Sequence, residues 1–189
     1  MTSSQNRPIP RATYRLQLTK DFNFGDAAAQ AAYLSQLGIS HAYLSPILEA
    51  RPGSTHGYDT VDHTRINPEL GTLDEFRAMA AAFRAEGLSL VLDIVPNHMG
   101  IGGDRNALWL ETLEWGADSR YADWFDINWL PDEPSLHGKV LVPFLGSSFA
   151  EALQDGRLEL RLDPAEGSFA VWAEGTHKLP ICPRDYALI

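Results

Sequence analysis

The first two elements that the sequence predicts are a strand and a helix. Over residues 12–18, Tyr14, Leu16 and Leu18 alternate with Thr13, Arg15 and Gln17. A period of two predicts a β-strand. Apolar residues then recur at helical spacing over residues 26–37, and the next residue is Gly38. Glycine is common just after the end of a helix, so the pattern predicts a helix that stops there.

Two further strands and a second helix follow. Residues 39–44 and 88–95 are short and mainly apolar, which predicts strands. The second of these is nearly continuous in Leu, Val and Ile, so we expect it to be buried on both faces. A helix is predicted over residues 72–87, because Thr72 and Glu75 form a capping box. The buried side of this helix is expected to consist of Leu73, Phe76, Met79 and Phe83.

A change of pattern divides the chain. The order strand, helix, strand, helix, strand predicts an α/β fold with right-handed crossovers and a parallel sheet, either doubly wound or a barrel. Residues 45–71, rich in Pro, Gly, Ser, Thr and His, are predicted to be a long loop. We expect a disordered N-terminus at residues 1–10, the strand–helix part at 11–98, and a separate inserted α+β domain at 99–189.

The inserted domain has its own predicted elements. A short helix is expected at residues 104–115 and a β-hairpin at 157–173. The hairpin leucines expected to face the second strand are Leu158, Leu160 and Leu162, opposite Phe169, Val171 and Ala173. The domain also carries an aromatic group that pattern alone assigns to a core rather than to a sugar platform, namely Trp109, Trp115, Trp124, Phe125 and Trp129.

The charge balance narrows the range of partners. The 189 residues include 15 Lys and Arg against 25 Asp and Glu, a net charge of -10. Such a protein is repelled by nucleic acid and by anionic membranes. The most apolar stretch is far shorter than the roughly 20 residues of a membrane helix, and the first residues lack the apolar core of a secretion signal. Because the single cysteine, Cys182, cannot form an internal disulfide, we expect a cytoplasmic protein.

The loop after the second strand carries the first group of candidate site residues. Chemistry in parallel α/β folds lies beyond the carboxyl ends of the strands. Tyr58 can offer an aromatic face to a sugar ring, while His56 and Asp59 bond its hydroxyls. In a second interpretation, Tyr58 belongs to the core, Asp59 and Asp62 form turns, and the histidines are solvated. In a third, His56, Asp59, Asp62 and His63 bind a metal, but no second ligand group at fixed spacing supports it.

The second group follows the third strand. Asp93 interrupts an apolar segment, and a buried carboxylate is costly unless it is paired, so Asp93 needs a partner. Asn97 and His98 add hydrogen-bonding groups just past the strand end. The alternative interpretation is an aspartate that caps a turn and a histidine satisfied in the core.

These two groups resemble a known family. His56-Gly57-Tyr58-Asp59 after the second strand and Asp93-x-x-x-Asn97-His98 after the third are similar to the alpha-amylase superfamily of glycoside hydrolases and transglycosylases. Within it, the chain most resembles the maltooligosyltrehalose synthase family. The runs that carry this finer resemblance are ATYRLQL (12–18), YLSP (43–46), ARPGSTHGYD (50–59), NPELG (67–71), FDINW (125–129) and GKVLVP (138–143).

The resemblance implies a fold and a role for each site residue. The fold would be the first three strand–helix units of a (β/α)8 TIM barrel, incomplete here, followed by a domain of the B type. Tyr58 would stack on the sugar where the bond is cleaved, and His98 would bond hydroxyls of the same ring. Asp93 would orient an arginine that precedes the nucleophile, while His56 and Asp59 shape the subsite. Asn97 matches a calcium ligand of many amylases, but its partner ligands are not identifiable, so we expect no metal and no cofactor.

The resemblance also implies an activity and a substrate. The family converts the reducing-end linkage of a maltooligosaccharide, an α-1,4-glucan, into a trehalose linkage, which makes it a glucosylmutase, an isomerase. The nucleophile Asp, the acid Glu and a third Asp come from later strands, so they are expected beyond residue 189. This chain would then be an N-terminal part, cut at its C-terminal end and inactive by itself, with the rest of the enzyme in cis. The alternatives are another glycosidase of the superfamily or a non-catalytic glucan-binding fragment.

Overall fold

A computed structural model describes residues 9–189, so most of the predicted N-terminal disordered segment, residues 1–10, lies outside the described residues. The chain forms two compact units, one ending at Gly100 and one covering Ile101–Ile189. The elements of the first unit, in chain order, are β1 (Thr13–Leu16), α1 (Phe24–Ala29), α2 (Ala31–Gln36), β2 (His41–Leu44), β3 (Leu48–Ala50), β4 (Thr60–Ile66), α3 (Leu73–Ala85) and β5 (Ser89–Leu92).

A parallel sheet organises the first unit. Its strand order is β1-β2-β5, and both strand pairs are parallel, as predicted from the alternation of strands and helices. The buried faces of β1 and β2 contribute Leu16 and Leu44 to a core that includes Phe24 and Phe83 of the helices. In β1 and β2, the residues next to these leucines therefore point to the opposite face of the sheet.

The α3 helix begins where the sequence predicts, whereas the first predicted helix begins earlier, at Phe24, and is divided. Thr72 and Glu75 form the predicted capping box of α3. Leu73 is not in the buried stripe, because it lies in the first turn and is 46% exposed. The helix predicted over residues 26–37 is divided into α1 and α2 at Gln30, and α1 has a capping box of its own.

Two predictions for the strands are wrong. The last strand is not buried on both faces, since Leu92 of β5 is 41% exposed. The cause is its position, because β5 is an edge strand of the described sheet with a single neighbour, β2. The long loop over residues 45–71 contains the antiparallel pair β3 and β4. Irregular pairing and polar residues on β4 hide the alternation that would have revealed it.

The second unit is an α+β arrangement. Its elements are α4 (Ala107–Trp115), α5 (Phe149–Gln154), β6 (Leu158–Asp163), β7 (Ser168–Ala173), β8 (His177–Pro180) and four 3-10 segments, Gly116–Asp118, Ala122–Trp124, Pro134–Leu136 and Pro183–Leu188. The predicted hairpin is confirmed, with Leu158, Leu160 and Leu162 opposite Ala173, Val171 and Phe169. A third strand, β8, pairs with β7 and was not predicted. None of the helices in residues 9–189 combines the length and apolar character needed to cross a bilayer.

Candidate functional site

Polar side chains from all three parallel strands meet at one end of the sheet. Arg15 of β1 is the register partner of Tyr43 of β2, so both occupy the face opposite the leucine core. Asp93 directly follows β5, and its backbone N–H donates to the carbonyl of Leu44 at 3.0 Å. The pleat and the parallel register therefore bring an arginine, a tyrosine and a carboxylate to the carboxyl edge, where parallel α/β folds place chemistry.

Asp93 is the centre of this group. Its Oδ2 atom accepts hydrogen bonds from the Tyr58 hydroxyl at 2.5 Å, the Tyr43 hydroxyl at 3.0 Å and Arg15 Nη1 at 3.0 Å. The same guanidinium donates through Nη2 to the Tyr58 hydroxyl oxygen at 2.9 Å and lies 4.6 Å from the centroid of the Tyr43 ring. The carboxylate that the sequence predicts to need a partner thus has three. We call Arg15, Tyr43, Tyr58 and Asp93 the sheet-end cluster.

The contacts of the sheet-end cluster fix its charge state. The hydrogen bond from Tyr58, together with those from Arg15 and Tyr43, holds the pKa of Asp93 below its ordinary value, against a smaller opposing effect of burial. The hydrogen bond to Asp93 raises the pKa of Tyr58, and that of Arg15 is raised for the same reason. At neutral pH Asp93 is therefore an ionised carboxylate, Arg15 a charged guanidinium and Tyr58 a neutral phenol.

The Tyr58 side chain lies on the surface. It is 37% exposed, so it is not the core residue of the alternative interpretation. Its ring packs beside that of His56 at a centroid distance of 6.0 Å, and its backbone N–H donates to His56 Nδ1 at 3.0 Å. His98 Nε2 lies 2.9 Å from the carbonyl oxygen of Tyr58, so this nitrogen is the donor. Two of the predicted site histidines thus contact the Tyr58 segment directly.

Asp59 and Asn97 occupy different positions. Asp59 is half-buried and accepts a hydrogen bond from the Ser54 hydroxyl at 2.5 Å, so it shapes the loop internally. Its Oδ1 is 3.9 Å from His56 Nδ1. Asn97 is exposed beyond β5 and makes no side-chain hydrogen bond to the other five predicted site residues in the described part of the chain. His56, Tyr58, Asp59, Asp93 and His98 are thus linked by contacts with one another, whereas the described contacts do not include the Asn97 side chain.

The metal interpretation gains no support from these contacts. His63 Nε2 bonds the carbonyl of Val95 at 2.9 Å, and Asp62 accepts from the backbone and hydroxyl of Thr64. Across residues 9–189, no group of three or more His, Cys, Asp or Glu side chains is arranged to hold a metal ion.

Gly100 lets two segments approach closely beneath the site. A Cβ atom added at Gly100 would lie 2.8 Å from the backbone oxygen of Asp59, and the Gly100 N–H donates to the carbonyl of Thr60 at 2.8 Å. We expect Gly100→Ala to lower the free energy of unfolding by about 1–3 kcal/mol, because backbone must shift. Denaturant unfolding measures this. The control is Gly146→Ala, where an added Cβ meets nothing within 4 Å. Equal stability of the two variants would contradict the prediction.

Arg15 and Tyr43 were missed by the sequence analysis of the site. Both lie within strands, whereas the predicted site residues lie at the strand ends and in the loops that follow. The available signal was the alternation of β1, which places Arg15 on the face opposite the core. The aromatic group of the second unit is not one cluster. Trp109 packs against Phe125 at 5.0 Å, while Trp124 is exposed and contacts Tyr121.

Comparison with known proteins gives one family. Residues 23–155 match the family model described as the alpha-amylase catalytic domain. A putative maltooligosyl trehalose synthase of Mycobacterium tuberculosis is 43% identical over 169 residues, covering 83% of this chain and 22% of that protein. The intracellular maltogenic amylase of Bacillus subtilis is 37% identical over 99 residues, covering 52% of this chain and 16% of that protein.

Solved structures agree with the sequence relatives. The crystal structure of a maltooligosyl trehalose synthase superposes with a TM-score of 0.80 at 40% identity, covering 91% of this chain and 22% of the other. The maltooligosyltrehalose synthase from Arthrobacter ramosus gives a TM-score of 0.76 at 37% identity, covering 92% and 21%. The chain thus spans about a fifth of the length of these relatives.

Proposed function

Because the chain belongs to the alpha-amylase catalytic-domain family, we propose that the sheet-end cluster and its neighbouring histidines form part of an α-1,4-glucan site. The natural polypeptide that contains this sequence would be a maltooligosyltrehalose synthase, an isomerase that turns the reducing-end linkage of a maltooligosaccharide into a trehalose linkage. The observation that carries the proposal is an exposed tyrosine ring whose hydroxyl is held by a carboxylate and a guanidinium.

Each site residue would make a different contribution to sugar binding. The hydroxyl of Tyr58 is occupied by Asp93 and Arg15, so the group left for a ligand is the ring, whose face suits the apolar side of a sugar. His98 donates one ring nitrogen to the Tyr58 carbonyl, which orients its other nitrogen for a sugar hydroxyl. Asp93 supplies a fixed negative charge at the hydroxyl end of the ring. His56 and Asp59 would shape the wall of the same subsite.

The two units would have different parts in the enzyme. We infer that residues 11–98 are the first three strand–helix units of a TIM barrel and that residues 99–189 are an inserted domain. Bond cleavage in retaining glycosidases needs two carboxyl groups about 5–5.5 Å apart. We propose that these come from later strands of the same polypeptide, since the synthase relatives are several times longer than this chain. We propose the cytoplasm as the compartment, on the sequence grounds given above.

The experiment is an analysis of products. The natural polypeptide is incubated with a maltooligosaccharide, and reducing ends and product mass are followed together. A synthase removes reducing ends without changing the mass of the sugar, because the reaction is an isomerisation. A rise in reducing ends with shorter products would instead identify a hydrolase. Binding without any change in the sugar would indicate a glucan-binding protein, and both of these results would overturn the proposed activity.

A further inference from the structure

We propose that Arg15 is a positioning residue of this site, one that fixes the Tyr58 ring and the charge of Asp93 together for sugar binding. The inference rests on the proposed glucan site and adds a residue of β1 to it. Arg15 would act through Tyr58 and Asp93, with no contact to the sugar required. Its guanidinium is the group that links the first strand to both of them.

The shape of the guanidinium suits this role. Nη1 donates to Asp93 Oδ2 at 3.0 Å and Nη2 to the Tyr58 hydroxyl at 2.9 Å, so two nitrogens of one planar group reach two different side chains. The Tyr43 ring lies beneath it at 4.6 Å and limits its movement. A planar fork holds two acceptors at a fixed separation, whereas a lysine ammonium is a point charge on a flexible stem. The geometry therefore requires arginine rather than any cation.

The Tyr58 ring needs such an anchor. The residue lies in a loop between β3 and β4, and its side chain is 37% exposed. Its hydroxyl contacts Arg15 and Asp93, which belong to β1 and to the end of β5. These bonds connect the end of an exposed side chain to the sheet. Loss of one of them leaves the ring free to adopt other side-chain rotamers, and ordering it again on binding reduces affinity.

The residue just after β1 on its polar side supports the same loop through the loop's backbone. Gln17 follows Arg15 by two residues, so it lies on the same side of the extended chain. Its Nε2 donates to the carbonyl oxygens of Thr55 and His56 at 3.3 and 3.4 Å. Arg15 of β1 thus holds the end of the Tyr58 side chain, and Gln17 just after β1 holds the loop before Tyr58. Two contacts to the same loop restrict its position relative to the strand.

The test uses the natural polypeptide, with wild-type activity on a maltooligosaccharide measured first. Arg15→Met is then compared with Arg77→Met, a matched control that removes an exposed arginine bonded to Asp74 at 2.9 Å. We expect Arg15→Met to raise KM about tenfold or more, with a smaller change in kcat, because binding is weakened before the chemical step. Arg77→Met is expected to leave both unchanged. Circular dichroism checks that each variant is folded.

The pH dependence separates positioning from a purely structural role. Arg15 is one of the groups that keep the pKa of Asp93 low, together with the hydroxyls of Tyr58 and Tyr43. In Arg15→Met that pKa rises, so the loss of maltooligosaccharide affinity on acidification, measured by calorimetry, should begin at a higher pH. Arg15→Lys keeps the positive charge but loses the fork. It should return this pH dependence of affinity towards wild type while restoring KM only in part.

A double variant tests the route of the effect. Tyr58→Phe keeps the ring but removes the hydroxyl that Arg15 bonds. If Arg15 acts through that hydroxyl, the double variant Arg15→Met/Tyr58→Phe should lose less than the product of the two single losses. Fully multiplicative losses, or an Arg15→Met enzyme that behaves like Arg77→Met, would overturn the inference. A wild type without activity or affinity for glucans would instead overturn the proposed function, and the two failures are thereby distinguished.

Discussion

Replacing Tyr58 with alanine is expected to lower the affinity for maltooligosaccharide by about tenfold to a hundredfold in the natural polypeptide. The variant removes the exposed ring that would lie against the sugar, and it also removes the hydroxyl that bonds Asp93 at 2.5 Å and Arg15 at 2.9 Å. Loss of the stacking ring and loss of its hydrogen bonds both weaken binding. Each tenfold loss of affinity corresponds to about 1.4 kcal/mol of binding free energy. Titration calorimetry with a maltooligosaccharide measures the change.

Two variants accompany this measurement. Tyr33→Ala is the matched control, since Tyr33 is an exposed tyrosine of α2, away from the sheet end. Tyr58→Phe keeps the ring and should lose less affinity than Tyr58→Ala. If Tyr58→Ala binds as well as Tyr33→Ala does, the ring has no part in sugar binding, and the site assignment fails.

Asp93→Asn is expected to have an equal or larger effect. One carboxylate oxygen accepts three hydrogen bonds, one of them from the charged Arg15. An amide of the same size carries no charge, so the guanidinium loses its counter-charge at the sheet end. Hydrogen bonds to charged groups are worth about 1.5–3 kcal/mol, which corresponds to about a tenfold to hundredfold loss of affinity. Calorimetry and kcat/KM measure it.

The control for Asp93→Asn is Asp74→Asn. Asp74 is exposed in the first turn of α3 and bonds Arg77 at 2.9 Å, a distance similar to that between Asp93 and Arg15. Asp74→Asn makes the same chemical change as Asp93→Asn, but at a position outside the sheet-end cluster. Equal affinities of the two variants would show that the charge of Asp93 is dispensable for the site.

The pH dependence of the free energy of unfolding is an independent test of the ionised state of Asp93. Its folded pKa is depressed, first by the hydrogen bond from Tyr58 and then by those from Arg15 and Tyr43. A carboxyl group of this kind stabilises the folded state above its unfolded pKa of about 3.9. That stabilisation is lost as the pH falls through the lower folded value. Asp93→Asn removes this contribution, so it should flatten part of the acid dependence of unfolding.

Local signals predicted much of the fold. The capping box at Thr72 and Glu75 lies where the sequence places it, because its hydrogen bonds form within one turn. The pairing of Leu158, Leu160 and Leu162 with the second hairpin strand follows from alternation and a short turn. The parallel order of β1, β2 and β5 follows from the intervening helices. These features depend on neighbours in sequence or on general rules of connection.

Features that depend on distant neighbours were harder to predict. The exposure of Leu92 is set by the edge position of β5, which no local pattern encodes. The β3–β4 pair has irregular register, so its alternation was read as loop. Asp93 was expected to need a partner, but the identity of that partner depends on the register between strands that are 78 residues apart in sequence. The residue types of the site were therefore partly predictable, whereas the contacts between them depend on how distant strands are arranged in the fold.

A crystal structure of the natural polypeptide with a bound maltooligosaccharide would test the proposed glucan site most directly. We expect a glucose ring lying against the Tyr58 side chain, with a sugar hydroxyl near His98 and with the bonds from Arg15 to Tyr58 and Asp93 intact. A sugar bound elsewhere, with Tyr58 and His98 untouched, would contradict the assignment of the sheet-end cluster as a glucan site.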